Sequence, residues 1–320
     1  MSSGDPVALG SVPVRLSKPG RRSTKGLRAT IARAVLLLAV LLVLILLVAP
    51  GLLAHVDPVA TSDANLQGPS GSHLFGTDLL GRDVFSRTVY GAQPVLLASL
   101  LGVLLATASG VAIGVLGGIA PRLVNAVVMR LVDVFLALPV LLIALILIAT
   151  AGSGVRSIVL AIGVAFTPGF ARVVESSVRR LRKAEYVEAA QVFGSSTLRT
   201  SWRHLLPNLL TEVVVLGSSA IGWGVLTATT LSFLGLGVRL PAPDWGSDLA
   251  AGATNLADAW WLSTFPGLAI MATILLANFS GDYLMRVLDP REGVRLGRSF
   301  RQLATRLSNT RLAKQEGDSK

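Results

Sequence analysis

Cysteine is absent from the 320 residues, which excludes disulfides, Cys-ligated zinc and thiol chemistry. Charge is scarce: 15% of residues are Asp, Glu, Lys or Arg and 52% are hydrophobic, whereas soluble domains carry about a quarter charged residues. That is too little charge to clothe a globule of this length in water. Lysine is rarer still, and the five lysines follow Ser17, Thr24, Arg182, Ala313 and Ser319. No Gly-Lys-Ser/Thr sequence exists, so the chain has no phosphate-cradling loop for ATP. His55, His73 and His204 are too scattered for a His-x-x-x-His metal pair, and no Gly-x-Ser-x-Gly elbow occurs. The sequence therefore predicts no catalytic residue, no metal site and no cofactor.

What the chain has is long charge-free runs. They are Ala34–Ala54, Thr88–Pro121, Val134–Val155, Ser157–Ala171, Val213–Val238 and Ala259–Gly281. About 20 apolar residues cross a bilayer core, so five runs are long enough unaided. The fourth has 15 residues and contains Pro168; it is read as a span because Arg172 can snorkel to the interface. The mean hydropathy of +0.65 agrees. An all-α polytopic membrane protein with six transmembrane helices is expected. Ala34–Ala54 is longer than a signal-peptide core and follows 33 residues, so it is read as a span rather than a cleaved leader.

Lys and Arg orient the spans. With both termini cytoplasmic, 25 of the 29 basic residues lie inside, and the outer segments keep Arg82, Arg87, Arg156 and Arg239 against seven Asp. The net charge of +11 is thereby explained by topology and not by nucleic-acid binding. The expected organisation is a basic cytoplasmic tail over 1–28 and a transmembrane domain over 29–290. That domain carries an outer segment at 55–90 and a cytoplasmic hairpin at 182–207, and a second basic tail covers 291–320.

Within the hairpin, Tyr186, Ala189, Ala190 and Phe193 fall on one helical face, with Arg182, Glu185 and Glu188 on the other. Gly194 suits a left-handed helix end, Ser195 or Ser196 can cap a second helix, and Pro207 limits it. So small an apolar face predicts docking on another protein. Glu188-Ala189-Ala190, three residues, Gly194, nine residues, then His204-Leu205-Leu206-Pro207 resembles the EAA loop of ABC-importer permeases. His204 stands where the family pattern has isoleucine. The resemblance implies that Glu188, Ala189, Ala190, Gly194, His204, Leu206 and Pro207 couple the chain to a cytoplasmic ATPase.

In the outer segment, Asp78 and Arg82, and Asp83 and Arg87, are i,i+4 pairs in the acid-first order that helices favour. They predict a short helix along the membrane interface with Leu79, Leu80, Val84 and Phe85 toward lipid or protein. Gly76-Thr77-Asp78, Gly81-Arg82-Asp83 and Ser86-Arg87 also resemble the segment before the second span in dipeptide, oligopeptide and nickel permeases of the C-subunit type. Two further runs resemble the same branch: Phe233 to Gly246, and Gly281 to Arg291. The resemblance covers roughly 73–291 and implies a MetI-like ABC permease fold.

In the second span, Gly102, Ala106, Gly110, Gly114 and Gly118 recur every four residues, a spacing that lets helix backbones approach closely. Whether this seam faces the chain's own helices or another subunit is open at this point. Asp133 beside Arg130, and Asp282 with Arg286, read as interfacial ion pairs. Trp260-Trp261 reads as an interfacial aromatic belt.

The reading that joins these features is a membrane-embedded permease subunit of a peptide-type ABC importer, lying in the cell membrane of a prokaryote. Peptide is its expected substrate class. The resemblance implies as partners a homologous second permease subunit, two ATPase subunits and an extracytoplasmic substrate-binding protein, all amid membrane lipid. The alternative is a secondary transporter driven by an ion gradient. That class needs ionisable groups near the bilayer midplane, whereas the charges here gather at span ends.

Overall fold

The computed structural model describes residues 37–182 and 206–288. The chain divides into two units, 1–41 and 42–320. Of the first, the described part is the apolar helical turn 37–41. Helix α1 (Leu37–Val48) continues it into the second unit. There follow α2 (Val84–Tyr90), α3 (Ala92–Ile119), α4 (Arg122–Leu136), α5 (Val140–Ala151), α6 (Val155–Arg182), α7 (Leu206–Phe233), α8 (Trp245–Ala253) and α9 (Trp261–Leu288). No strand occurs among the described residues, only a bridge between Thr77 and Asp83.

Four stretches are long and apolar enough to cross a membrane: α2 running into α3, α6, α7 and α9. The 28 residues of α3 contain no charged side chain and extend about 42 Å at 1.5 Å per residue. The bent pair α4–α5 is apolar enough when taken together, as a broken span or a re-entrant loop, and is turned through 89° at its break. Pro139 accounts for that break: the residue before a proline is pushed out of the helical region, and Pro139 sits at the N-terminus of α5. The expected first span is represented by the 12 described residues of α1, and its beginning lies outside the described residues.

Two expected spans are redrawn. The third begins twelve residues earlier than its charge-free run, at Arg122, and is broken by Pro139. The fourth is not a 15-residue span ending at Ala171. Helix α6 carries Pro168 within its length and runs on through Arg172 to Arg182. A charge ends an apolar run without ending a helix, because the backbone bonds of the helix are indifferent to the side chain once α6 is packed.

The core lies between α3, α6 and α7. Val95, Leu96, Val103 and Ala106 of α3 meet Ile158, Ile162 and Phe170 of α6 and Val225 and Leu231 of α7, all buried. Between α3 and α6 the backbones come very close. A Cβ on Gly102 would lie 2.7 Å from the Ile162 Cβ, and one on Gly114 would lie 2.7 Å from the Val174 Cβ and 2.7 Å from the Ala171 carbonyl. A Cβ on Gly110 would strike Phe170, and one on Gly118 would lie 2.6 Å from Val178. The four-residue seam therefore faces α6 of the same chain.

Candidate functional site: the two polar ends and the recess between helices

At one end of the helices, residues 55–83 fold over α8 and the start of α9. Of the expected interfacial helix over 78–87, only 84–87 is helical, as the start of α2, and 78–82 is a turn. Gly76 and Gly81 have positive φ, 77° and 70°, a conformation glycine adopts at no steric cost, and the chain turns twice instead. Asp78 closes the second turn, accepting from the Leu80 amide at 2.8 Å and the Arg82 amide at 3.0 Å. Asp83 caps α2 by accepting from the Ser86 amide at 2.8 Å. Of the two i,i+4 pairs, Asp78–Arg82 exists at 2.6 Å, within the turn. Asp83 instead meets His73 at 3.1 Å.

Arg87 reaches further. Its guanidinium donates to Asp248 of α8 at 2.5 and 3.2 Å and to the carbonyls of Pro58 and Pro241 at 3.1 and 3.2 Å, and stands 3.9 Å from Asp78. One buried cation thus ties together the 55–83 segment, α2, the 237–244 loop and α8. Two indoles do the same with neutral groups. Trp245 donates to the Thr88 carbonyl at 2.6 Å, and Trp261 to the Thr77 carbonyl at 3.1 Å. Trp261 is accordingly buried while Trp260 is exposed, so the expected aromatic belt reduces to one of the pair. Asp244 caps α8 through the amides of Gly246 and Ser247 and accepts from the Ser232 hydroxyl at 3.1 Å. Burial pushes the Asp244 carboxyl above its ordinary range, against the pull of those hydrogen bonds. Burial also raises Asp248, with the Arg87 guanidinium opposing the rise.

At the opposite end, the last three turns of α6 hold a second set of polar contacts. Asp133 pairs with Arg172 at 2.7 Å, not with Arg130 as its position in sequence implied. Glu175, 5% exposed, accepts from the Asn125 amide of α4 at 2.9 Å and from Arg179 at 3.0 Å. Asn125 also donates to the Gly117 carbonyl of α3 at 2.8 Å. Arg182 donates to the carbonyls of Gly118 and Ile119, which end α3, and Arg180 meets Glu212 of α7 at 3.1 Å. Sequence reasoning passed over Asn125, Glu175 and Glu212. The one available signal was a lone acid, Glu175, among small and apolar residues in the run 163–178.

Between the two ends lies a recess of about 520 Å³ bordered by α4, α5, α6 and α7. Leu136, Leu141, Phe166, Phe170, Trp223 and Leu226 form its walls. Its hydroxyls, Thr227 and Thr230, donate to carbonyls one turn back, at 2.8 and 2.7 Å. The wall is uncharged and the hydroxyls of Thr227 and Thr230 are satisfied. Among the described residues no group of three or more His, Asp or Glu is placed to hold a metal. Of the expected coupling residues, Glu188, Ala189, Ala190, Gly194 and His204 lie outside the described residues, and Leu206 and Pro207 open α7. The side chain of Arg286 is likewise outside them, so its expected pairing with Asp282 is not described.

The family pattern described as "Binding-protein-dependent transport system inner membrane component" matches residues 110–294, more than half of the chain. The chain belongs to that family. A protein of Brucella suis biovar 1 named as a peptide transport system permease is 37% identical over 235 residues, spanning 73% of this chain and 79% of the relative. The glutathione transport system permease GsiD of Shigella flexneri is 40% identical over 224 residues, 70% of this chain and 74% of that protein. Among solved structures, a chain of the MetNI methionine ABC transporter in inward-facing conformations superposes with a TM-score of 0.54 at 19% identity. That match covers 63% of this chain and 96% of the other, and establishes a MetI-like fold. This permease is therefore a membrane-spanning ABC-importer component, and the ion-gradient alternative is set aside.

Proposed function

We propose that this permease forms half of the translocation pathway of an importer for small peptides or peptide-like solutes such as glutathione. It pairs with a homologous permease subunit, two ATPase subunits and an extracytoplasmic binding protein. The observation that carries this reading is the 37–40% identity, over about 70% of the chain, to permeases named for peptide and glutathione transport. The end bearing 55–90 and α8 faces outward, and the end where α6 leads into 183–205 faces the cytoplasm. There Glu188 to Pro207 dock on the ATPase, and ATP-driven closure of the ATPases tilts the helices between outward- and inward-open states. The uncharged recess agrees with a division of labour in which the binding protein selects the solute and the permease passes it.

The test is uptake of a labelled di- or tripeptide into proteoliposomes holding the complete transporter. Uptake should require ATP and the binding protein, and the purified permease alone should hydrolyse none. Glu188→Arg should reduce ATPase association, or uptake per ATP, while membrane insertion stays normal. Uptake driven by a proton or sodium gradient without ATP would overturn the reading.

A further inference from the structure

Helix α4 is loosely held. Leu123, Val124, Val127, Leu131, Val134 and Phe135 are all exposed, Leu123 to 78%. Its buried contacts are Asn125, Met129 and Val132, the latter two packing on Ala171 of α6. Against that thin apolar contact stands a polar tie of a different quality. The Glu175 carboxylate is buried beside Arg179, and the Asn125 amide group reaches both it and the Gly117 carbonyl. A hydrogen bond to a buried charge is about twice as strong as a neutral one, and a buried charge without its partner is costly. The exposed Asp133–Arg172 pair, 45% and 40% accessible, adds little. Asn125 thus sits where α3, α4 and α6 meet, and its partner Glu175 stands thirteen residues before Glu188 along the chain.

We propose that Asn125 and Glu175 are positioning residues for transport. Their clasp makes α4 move with the cytoplasmic end of α6, so that displacement of 183–205 swings the bent pair α4–α5 and with it one wall of the recess. Leu136, Val140 and Leu141, which flank the 89° bend, line that recess. When the clasp is broken, α6 moves and the wall does not follow. Hydrolysis then continues while transport fails. This rests on the reading of 183–205 as the ATPase-docking segment.

The chain's lack of cysteine allows a test on assembled protein. The complete transporter, its partner subunits stripped of cysteine and this chain carrying Asn125→Cys/Glu175→Cys, is reconstituted, and uptake and ATP hydrolysis are measured before and after a short, reducible bis-thiol cross-linker is applied. Uncross-linked, uptake per ATP should fall about tenfold, the scale of losing a hydrogen bond to a charged group, with hydrolysis within about twofold of the cysteine-free transporter. Cross-linking should restore uptake per ATP, and reduction should remove it again. Protein damaged in folding would not be repaired by a tether added after assembly. Uptake per ATP that matches the cysteine-free transporter without the cross-link, or that does not respond to it, overturns the clasp. Absence of ATP-dependent uptake in the cysteine-free transporter overturns instead the proposed function. Asn125→Leu gives the same contrast without thiols: hydrolysis retained, uptake per ATP lowered about tenfold.

Discussion

Arg87 ties together several separate segments at the end that bears 55–90 and α8. It is 4% exposed and bonds to one carboxylate and two carbonyls from separate segments. Arg87→Met keeps much of the side chain's length and removes its charge, leaving Asp248 buried beside an apolar chain. Loss of one member of a buried pair costs about 3–5 kcal/mol, and replacing both by apolar groups costs far less. Arg87→Met should therefore lower the thermal unfolding midpoint of the purified permease sharply, and Arg87→Met/Asp248→Leu should recover a large part of it. Equal midpoints for the single and double variants would contradict a charge-based account. The sequence made Arg87 visible, but with the wrong partner. Local spacing offered Asp83 four residues away, while the true partner stands 161 residues off, and such a pairing depends on how α8 folds back over α2. The same holds for Asp133, whose neighbour Arg130 was nearer in sequence than Arg172 and lost to it in space.

Helix identity was legible wherever apolar runs were long, whereas the helix ends that a proline or a cap marks were passed over. Pro139 broke the third span as proline chemistry requires, and Asp83 and Asp244 cap α2 and α8 through backbone amides. The expected interfacial helix was right only from Val84 on, in α2; its first half was misread because the i,i+4 charge pattern fits a helix, while Gly76 and Gly81 spend their positive φ on turns. The five-residue seam of α3 needed no tertiary knowledge to be noticed. Its partner did, since a stripe of small residues does not say which helix it admits. With α6 as that partner, a test follows. A Cβ on Gly110 meets Phe170 Cβ, the Thr167 carbonyl at 3.0 Å and the Ala171 amide at 3.1 Å, and two of those three are backbone that cannot rotate away. Gly110→Leu should destabilise the permease by about 1–3 kcal/mol through overpacking. Leu104→Val, on the exposed side of α3 at 64% accessibility, should change it by less than about 0.5 kcal/mol. Thermal midpoints in detergent would compare the two, and a Gly110→Leu variant as stable as Leu104→Val would mean that α3 and α6 stand further apart.

For the whole molecule the open quantity is orientation, and charge decides it. A fold packed on α3, α6 and α7 is the same object either way up in a membrane; the bilayer distinguishes the two ends through Lys and Arg in the short segments next to the spans. One end carries Arg172, Arg179, Arg180 and Arg182 in the last turns of α6, and continues into 183–205 with further basic residues. The other carries only Arg82, Arg87, Arg156 and Arg239 among seven Asp. We expect both termini and 172–207 in the cytoplasm, with 55–90 and 237–262 outside. Single cysteines placed at Ser70 and Ala251, both exposed at the loop-bearing end, should react in intact cells with a maleimide that does not cross the membrane. Cysteines at Ser196 and Ser308 should react only after the membrane is opened. Labelling of the Ser196 position from outside would invert the molecule, place the Glu188 motif beyond reach of any cytoplasmic ATPase, and leave the energy source of transport to be sought elsewhere.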